Sequence, residues 1–94
     1  MSRSKKKAQT YATVFQPEFR EDLKFWVKEN VKIADRIFQL IENIKESPFT
    51  GIGKPEPLKH FGPDVWSRRI TLEHRLVYKV SNDRIDFLQC RYHY

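Results

Sequence analysis

The residue types able to do chemistry collect in the second half of this 94-residue sequence. Glu56 and Lys59 stand in Lys54-Pro55-Glu56-Pro57-Leu58-Lys59-His60. Arg68 and Arg69 follow Trp66-Ser67. Glu73, His74 and Arg75 are consecutive, and Arg91-Tyr92-His93-Tyr94 closes the sequence. Cleaving an RNA phosphodiester without a metal makes three demands. The ribose 2′-hydroxyl must lose a proton, the leaving 5′-oxygen must gain one, and charge on the phosphate must be stabilised between them. A carboxylate, a histidine and clustered arginines match those demands, and aromatic rings can stack a base. The same types also furnish RNA-binding modules with no catalytic activity, so on the residues alone both readings stand.

Other chemistries find less support. The single cysteine and His60, His74 and His93 form no metal-ligand spacing. No P-loop and no nucleophile elbow is present. With one cysteine, Cys90, no internal disulfide can form, which suits a reducing compartment. No apolar run approaches the length of a membrane span, and no signal-peptide core follows the basic start. We expect a soluble, cytoplasmic protein.

The formal charge is +6 and unevenly placed. Residues 1–10 hold Arg3, Lys5, Lys6 and Lys7 and read as a flexible basic arm. Residues 11–50 nearly balance, whereas residues 51–94 are basic, a distribution that attracts polyanions. Length argues for one domain over residues 11–94.

The elements that must position these side chains follow from periodicity. Tyr11 to Phe15 is aromatic and β-branched and reads as a strand. Pro17 and Glu18 open a helix whose Phe19, Leu23 and Trp26 share a face, ending near Asn30. Glu21 and Asp22 join Glu18 as acidic residues suited to that helix's positive end. Ile33, Ile37, Leu40, Ile41 and Ile44 form the stripe of a second helix, which must stop before Pro48. Residues 48–63 read as a Pro- and Gly-rich loop. Three antiparallel strands follow, over 65–71, 75–80 and 84–92, the last two joined by a turn at Ser81-Asn82-Asp83. The fold class is α+β, with the helical hairpin on one sheet face and arginines and lysines on the other.

At these residues the sequence resembles the YoeB/Txe toxins of the RelE superfamily. The matching runs are Pro48-Phe49, Gly51 to His60, Trp66-Ser67-Arg68-Arg69-Ile70-Thr71, Glu73-His74-Arg75-Leu76-Val77-Tyr78 and Cys90-Arg91-Tyr92-His93-Tyr94. The similarity continues, more weakly, over 11–47. The resemblance implies a RelE-like antiparallel sheet packed on two helices and a toxin of a type II toxin–antitoxin module. It implies cleavage of mRNA in the ribosomal A site, with no metal or cofactor and a 2′,3′-cyclic phosphate product. Carried over residue by residue, Glu56 is the general base, His93 the general acid and Arg75 the phosphate stabiliser. Tyr94 positions substrate, while Lys59, Arg68, Arg69 and Arg91 contribute to binding it. The implied partners are mRNA, the ribosome and a Phd/YefM-type antitoxin, and family members can be homodimers. Residues 1–9 extend beyond the usual family start, and Phe61-Gly62-Pro63-Asp64 departs from its pattern. A ParE-like toxin, which shares the fold but poisons gyrase, needs no acid–base pair, and Glu56 with His93 speaks against it.

His93 lies one residue from the last carboxylate of this sequence. A nearby negative charge favours the protonated imidazole and so keeps an acid able to donate. A peptide tag appended after Tyr94 is expected to lower cleavage activity. Full activity of the tagged chain in a cleavage assay would contradict this tuning.

Overall fold

The computed structural model describes residues 10–92. The expected basic arm, apart from its last residue, and the pair His93 and Tyr94 lie outside the described residues. Strand β1 (Ala12–Phe15) leads into helix α1 (Pro17–Glu29) and helix α2 (Val31–Glu46). Then come β2 (Glu56–Pro57), a single 3-10 turn (Lys59–Phe61), β3 (Val65–Arg69), β4 (Arg75–Val80) and β5 (Arg84–Gln89).

Asn30 alone joins the two helices. Its backbone N–H ends α1 on the Trp26 carbonyl, and its side-chain oxygen accepts from Ile33 N–H to cap α2. So short a joint returns the chain antiparallel. Of the expected stripe, Ile37, Leu40, Ile41 and Ile44 are in the core of α2's buried face, and Ile33 packs against it partly buried. They pack with Phe19 and Trp26 of α1 against Leu76, Tyr78, Val80, Ile85 and Phe87 of the sheet.

The sheet order is β1-β5-β4-β3-β2. Two features differ from the sequence-based expectation. The N-terminal strand lies at the edge beside β5 and runs parallel to it, so the sheet is mixed. A fifth strand, β2, forms inside the segment expected to be loop and pairs with β3. It is only two residues long, and Pro57, with no N–H to donate, suits such an edge position. Of the other expected strands, that over 75–80 keeps its bounds, whereas those over 65–71 and 84–92 end early, at Arg69 and Gln89. Beyond Arg69 the chain turns, with Ile70 and Thr71 N–H groups both donating to the His74 carbonyl.

The face away from the helices is not uniformly basic. It carries a small apolar cluster of Leu58, Val65 and Val77 beside its charged residues. Arg68 is on neither charged face. Alternation along β3 turns it inward, where its side chain is fully buried. All five of its N–H donors are used. Nε donates to Tyr78 Oη at 3.0 Å. Nη1 donates to Asn43 Oδ1 and to the Ile52 carbonyl, each at 2.7 Å. Nη2 donates to the carbonyls of Ser47 at 2.7 Å and Thr50 at 3.0 Å. Ser47 caps the C-terminus of α2, where unpaired carbonyls concentrate negative potential and a cation is favoured. Arg68 therefore leaves the set of substrate-binding candidates, because no surface remains through which it can meet a ligand.

The loop it holds has little freedom. Tyr78 Oη donates to the Pro48 carbonyl at 2.6 Å, and Asn43 Oδ1 also accepts from Ile52 N–H at 3.2 Å. Gly51 has φ +124°, and a Cβ there would fall 2.1 Å from Asn43 Oδ1. Only glycine fits. Arg68→Met keeps the bulk but strands these buried acceptors. It is expected to cost about 3–5 kcal/mol in urea unfolding. Arg68→Lys should recover only part of that, since an ammonium offers three donors without the planar fork.

Candidate active site

β2 is what brings the carboxylate to the sheet. Its register sets Glu56 opposite Ser67, and β3 sets Arg69 opposite Arg75. Paired residues share a face, so all four lie on the face away from the helices. There Arg75 Nη1 donates to Glu56 Oε1 at 2.7 Å and to Ser67 Oγ at 3.3 Å. The side chain of Arg75 is 21% exposed and that of Glu56 53%. An ion pair this open contributes no more than about 1 kcal/mol to stability. It can exchange partners easily. Glu73, the other carboxylate near Arg75 in sequence, instead occupies the exposed turn, where its N–H donates to Thr71 Oγ1.

A shallow pocket of about 380 Å³ opens at the pair, lined by Glu56, Pro57, Leu58, Lys59, His60 and Arg75. Lys59 reaches it from the 3-10 turn, which Leu58 secures by donating its N–H to the Val65 carbonyl at 2.8 Å. Arg69 is tied down by its backbone, whose N–H donates to the Gly53 carbonyl at 2.6 Å. Its Nε is buried and meets no acceptor among the described residues. Glu56, Lys59, Arg69 and Arg75 are thus gathered on one face. Among the described residues no group of His, Cys, Asp and Glu could hold a metal ion. No helix there is long and apolar enough to cross a membrane.

Arg91 takes a different place. Its guanidinium lies 3.5 Å from the centre of the Phe25 ring, against α1, and 5.0 Å from the Tyr92 ring. The proposed catalytic residues His93 and Tyr94 fall outside the described residues, but the chain leading to them does not. Cys90 N–H donates to Asp22 Oδ2 at 3.0 Å, and the Cys90 carbonyl accepts from Trp26 Nε1 at 2.9 Å. Tyr92 N–H donates to His74 Nδ1 at 2.6 Å, and its carbonyl accepts from Arg75 N–H at 3.0 Å. Arg75 thus holds the tail through its backbone and Glu56 through its side chain. Tyr92 has φ +61°, in the left-handed region, a conformation that costs about 1–2 kcal/mol in a residue with a side chain.

Nothing in the local sequence signals the roles of Asp22 and Trp26. Asp22 reads there as one more acidic residue near a helix start, and Trp26 as core. Their partners lie 68 and 64 residues away, so no local pattern links them. Burial pushes the Cys90 thiol well above its usual range, so it is a packing group and not a nucleophile.

A mixed five-stranded sheet on a helical hairpin, with a carboxylate–arginine pair on its open face, places the chain among the toxins of the RelE superfamily. The Staphylococcus aureus YoeB dimer superposes with a TM-score of 0.82 at 39% identity, covering 89% of this chain and 98% of that one. The S. aureus YoeB–YefM complex gives 0.78 at 40% identity, with 89% and 98% covered. Toxin YoeB of Mycobacterium bovis is 50% identical over 80 residues, 85% of this chain and 94% of that protein. The profile of the family described as YoeB-like toxin of bacterial type II toxin–antitoxin system matches residues 15–94. The chain belongs to that family.

The pKa of Asp22 is raised, chiefly by burial and also by the nearby carboxylates Glu18 and Glu21, against the opposing Cys90 N–H and Arg91. The folded chain therefore keeps this proton to higher pH than the unfolded one. Stability falls as pH rises from the ordinary carboxylate value through the raised one. Asp22→Asn keeps an acceptor for Cys90 N–H and removes the desolvated charge. It should raise the urea midpoint at neutral pH, with the gain vanishing as pH falls through the carboxylate range. Equal effects at neutral and acid pH would refute this account.

Proposed function

We propose that this toxin is a ribosome-dependent mRNA endoribonuclease that works by acid–base catalysis without a metal. The observation that carries the reading is the meeting of Glu56 and Arg75 on the open face, 19 residues apart in sequence and 2.7 Å apart in space. In the resting chain the arginine neutralises the carboxylate. A phosphate entering the pocket offers Arg75 a charged partner with matching bidentate geometry. Glu56 is then free to accept the 2′-hydroxyl proton. The 2′-oxygen attacks phosphorus, the bond to the 5′-oxygen breaks, and His93 supplies the proton that oxygen needs. The products are a 2′,3′-cyclic phosphate and a 5′-hydroxyl. Lys59 and Arg69 add positive charge beside the phosphate, and Tyr94 positions the substrate.

Family membership supports the toxin role, and the basic second half of the chain suits both RNA and an acidic protein segment. The S. aureus relative is found with YefM and as a dimer. By that likeness a Phd/YefM-type antitoxin is the cognate partner here and self-association is available, in the cytoplasm where ribosomes are reached.

Primer extension on mRNA, with and without ribosomes, tests the reading. Cuts are expected with ribosomes present. Glu56→Gln and Arg75→Gln should each slow cutting by about 10²–10⁴-fold while the fold survives. Absence of cuts under both conditions would overturn the assignment.

A further inference from the structure

Tyr92 presents a physical puzzle. It is 55% exposed, close to the end of the sequence, and holds a left-handed backbone that its side chain disfavours. An unconstrained tyrosine would relax to extended backbone. Such a conformation persists only where its surroundings dictate it, and these conformations cluster at functional sites. Two consecutive residues dictate this one. His74 takes the Tyr92 N–H and Arg75 N–H holds the Tyr92 carbonyl.

His74 is itself firmly seated. Its ring packs edge-on against Trp26, with centroids 4.7 Å apart at 77°, and is only 8% exposed. Its N–H donates to Thr71 Oγ1 at 3.0 Å, and its carbonyl accepts from Ile70 and Thr71. To accept from Tyr92, Nδ1 must keep its lone pair, so in the neutral ring the proton sits on Nε2. The plain alternative is that a buried imidazole has simply found a donor. That alternative does not account for a tyrosine kept left-handed at the surface, where water could serve its N–H.

We propose that His74 is a positioning residue for the end of the chain. Its Nδ1 fixes the turn at Tyr92 and so the direction in which the chain leaves that residue. The consequence for catalysis rests on the nuclease reading; the clamp does not.

Two near-isosteric variants separate the possibilities. His74→Asn can place an oxygen near the position of Nδ1, whereas His74→Gln carries its amide out toward Nε2. Tyr92 amide exchange, followed by NMR, should be slow in wild type and His74→Asn and at least about tenfold faster in His74→Gln. On programmed ribosomes His74→Gln should lose about 10²-fold in kcat with KM nearly unchanged, and His74→Asn should stay within about fivefold of wild type. Equal behaviour of the two variants, or wild-type cutting by His74→Gln, would overturn the proposal. Should wild type fail to cut mRNA, the nuclease reading falls, and amide exchange still decides the clamp. Imidazole nitrogen shifts of the wild-type protein give a check that needs no variant: a proton on Nδ1 of His74 would also overturn it.

Discussion

The architecture turns on one buried cation. Arg68 lies inside the molecule, and among the described residues it pairs with no carboxylate; its five donors meet uncharged protein oxygens. Removing a guanidinium from water is costly unless every donor is satisfied. Here the donors reach the end of α2, the loop that follows it and a tyrosine of β4. The requirement works in both directions: the loop carbonyls need the arginine, and the arginine needs the loop closed. Its neighbour Arg69 extends the attachment by one backbone hydrogen bond to Gly53. A segment with four prolines and three glycines between residues 48 and 63 would otherwise have many conformations. Held at 47–53, it delivers Glu56 to the sheet edge opposite Ser67.

The second attachment concerns the tail. β5 ends at Gln89, and the next residues leave the hydrogen-bonded ladder. α1 holds Cys90 by Asp22 and Trp26, and His74 of the turn before β4 and Arg75 at the start of β4 hold Tyr92. Arg75 is therefore the junction of two supports that come from opposite ends of the fold. Its side chain faces the carboxylate delivered by the first, and its backbone faces the tail delivered by the second.

Much of the fold was legible because it obeys simple periods. The stripe from Ile37 to Ile44 and the alternation of Leu76, Tyr78 and Val80 each announced a buried face. What escaped was set by distant partners. Two residues flanked by prolines give no strand signal, and β2 exists because β3 offers it an edge. The two-residue period of a strand puts Arg68 on the same side as Trp66 and Ile70, yet an arginine beside an arginine invites the exposed reading. Only the acceptors at 43, 47, 50 and 52 show why one of the pair turns inward. The closeness of Glu56 to Arg75 was likewise beyond periodicity: it entered through family resemblance, and the register of β2 against β3 supplies its physical cause.

Stability and the proposed chemistry fall on different faces of one sheet. On the helix side, interactions are buried, saturated and hard to exchange, with Arg68 as the extreme case. On the open side the Glu56–Arg75 pair is solvent-accessible and weak, and that weakness is useful. A fully buried pair would resist separation, and a phosphate would have to overcome its interior strength before binding. Two arginines adjacent in sequence, Arg68 and Arg69, meet these opposite requirements because strand alternation sends one to each face. The same chemical group is saturated with acceptors on one side, while on the other its Nε meets none among the described residues, and the difference comes from the strand's two-residue period, not from the guanidinium.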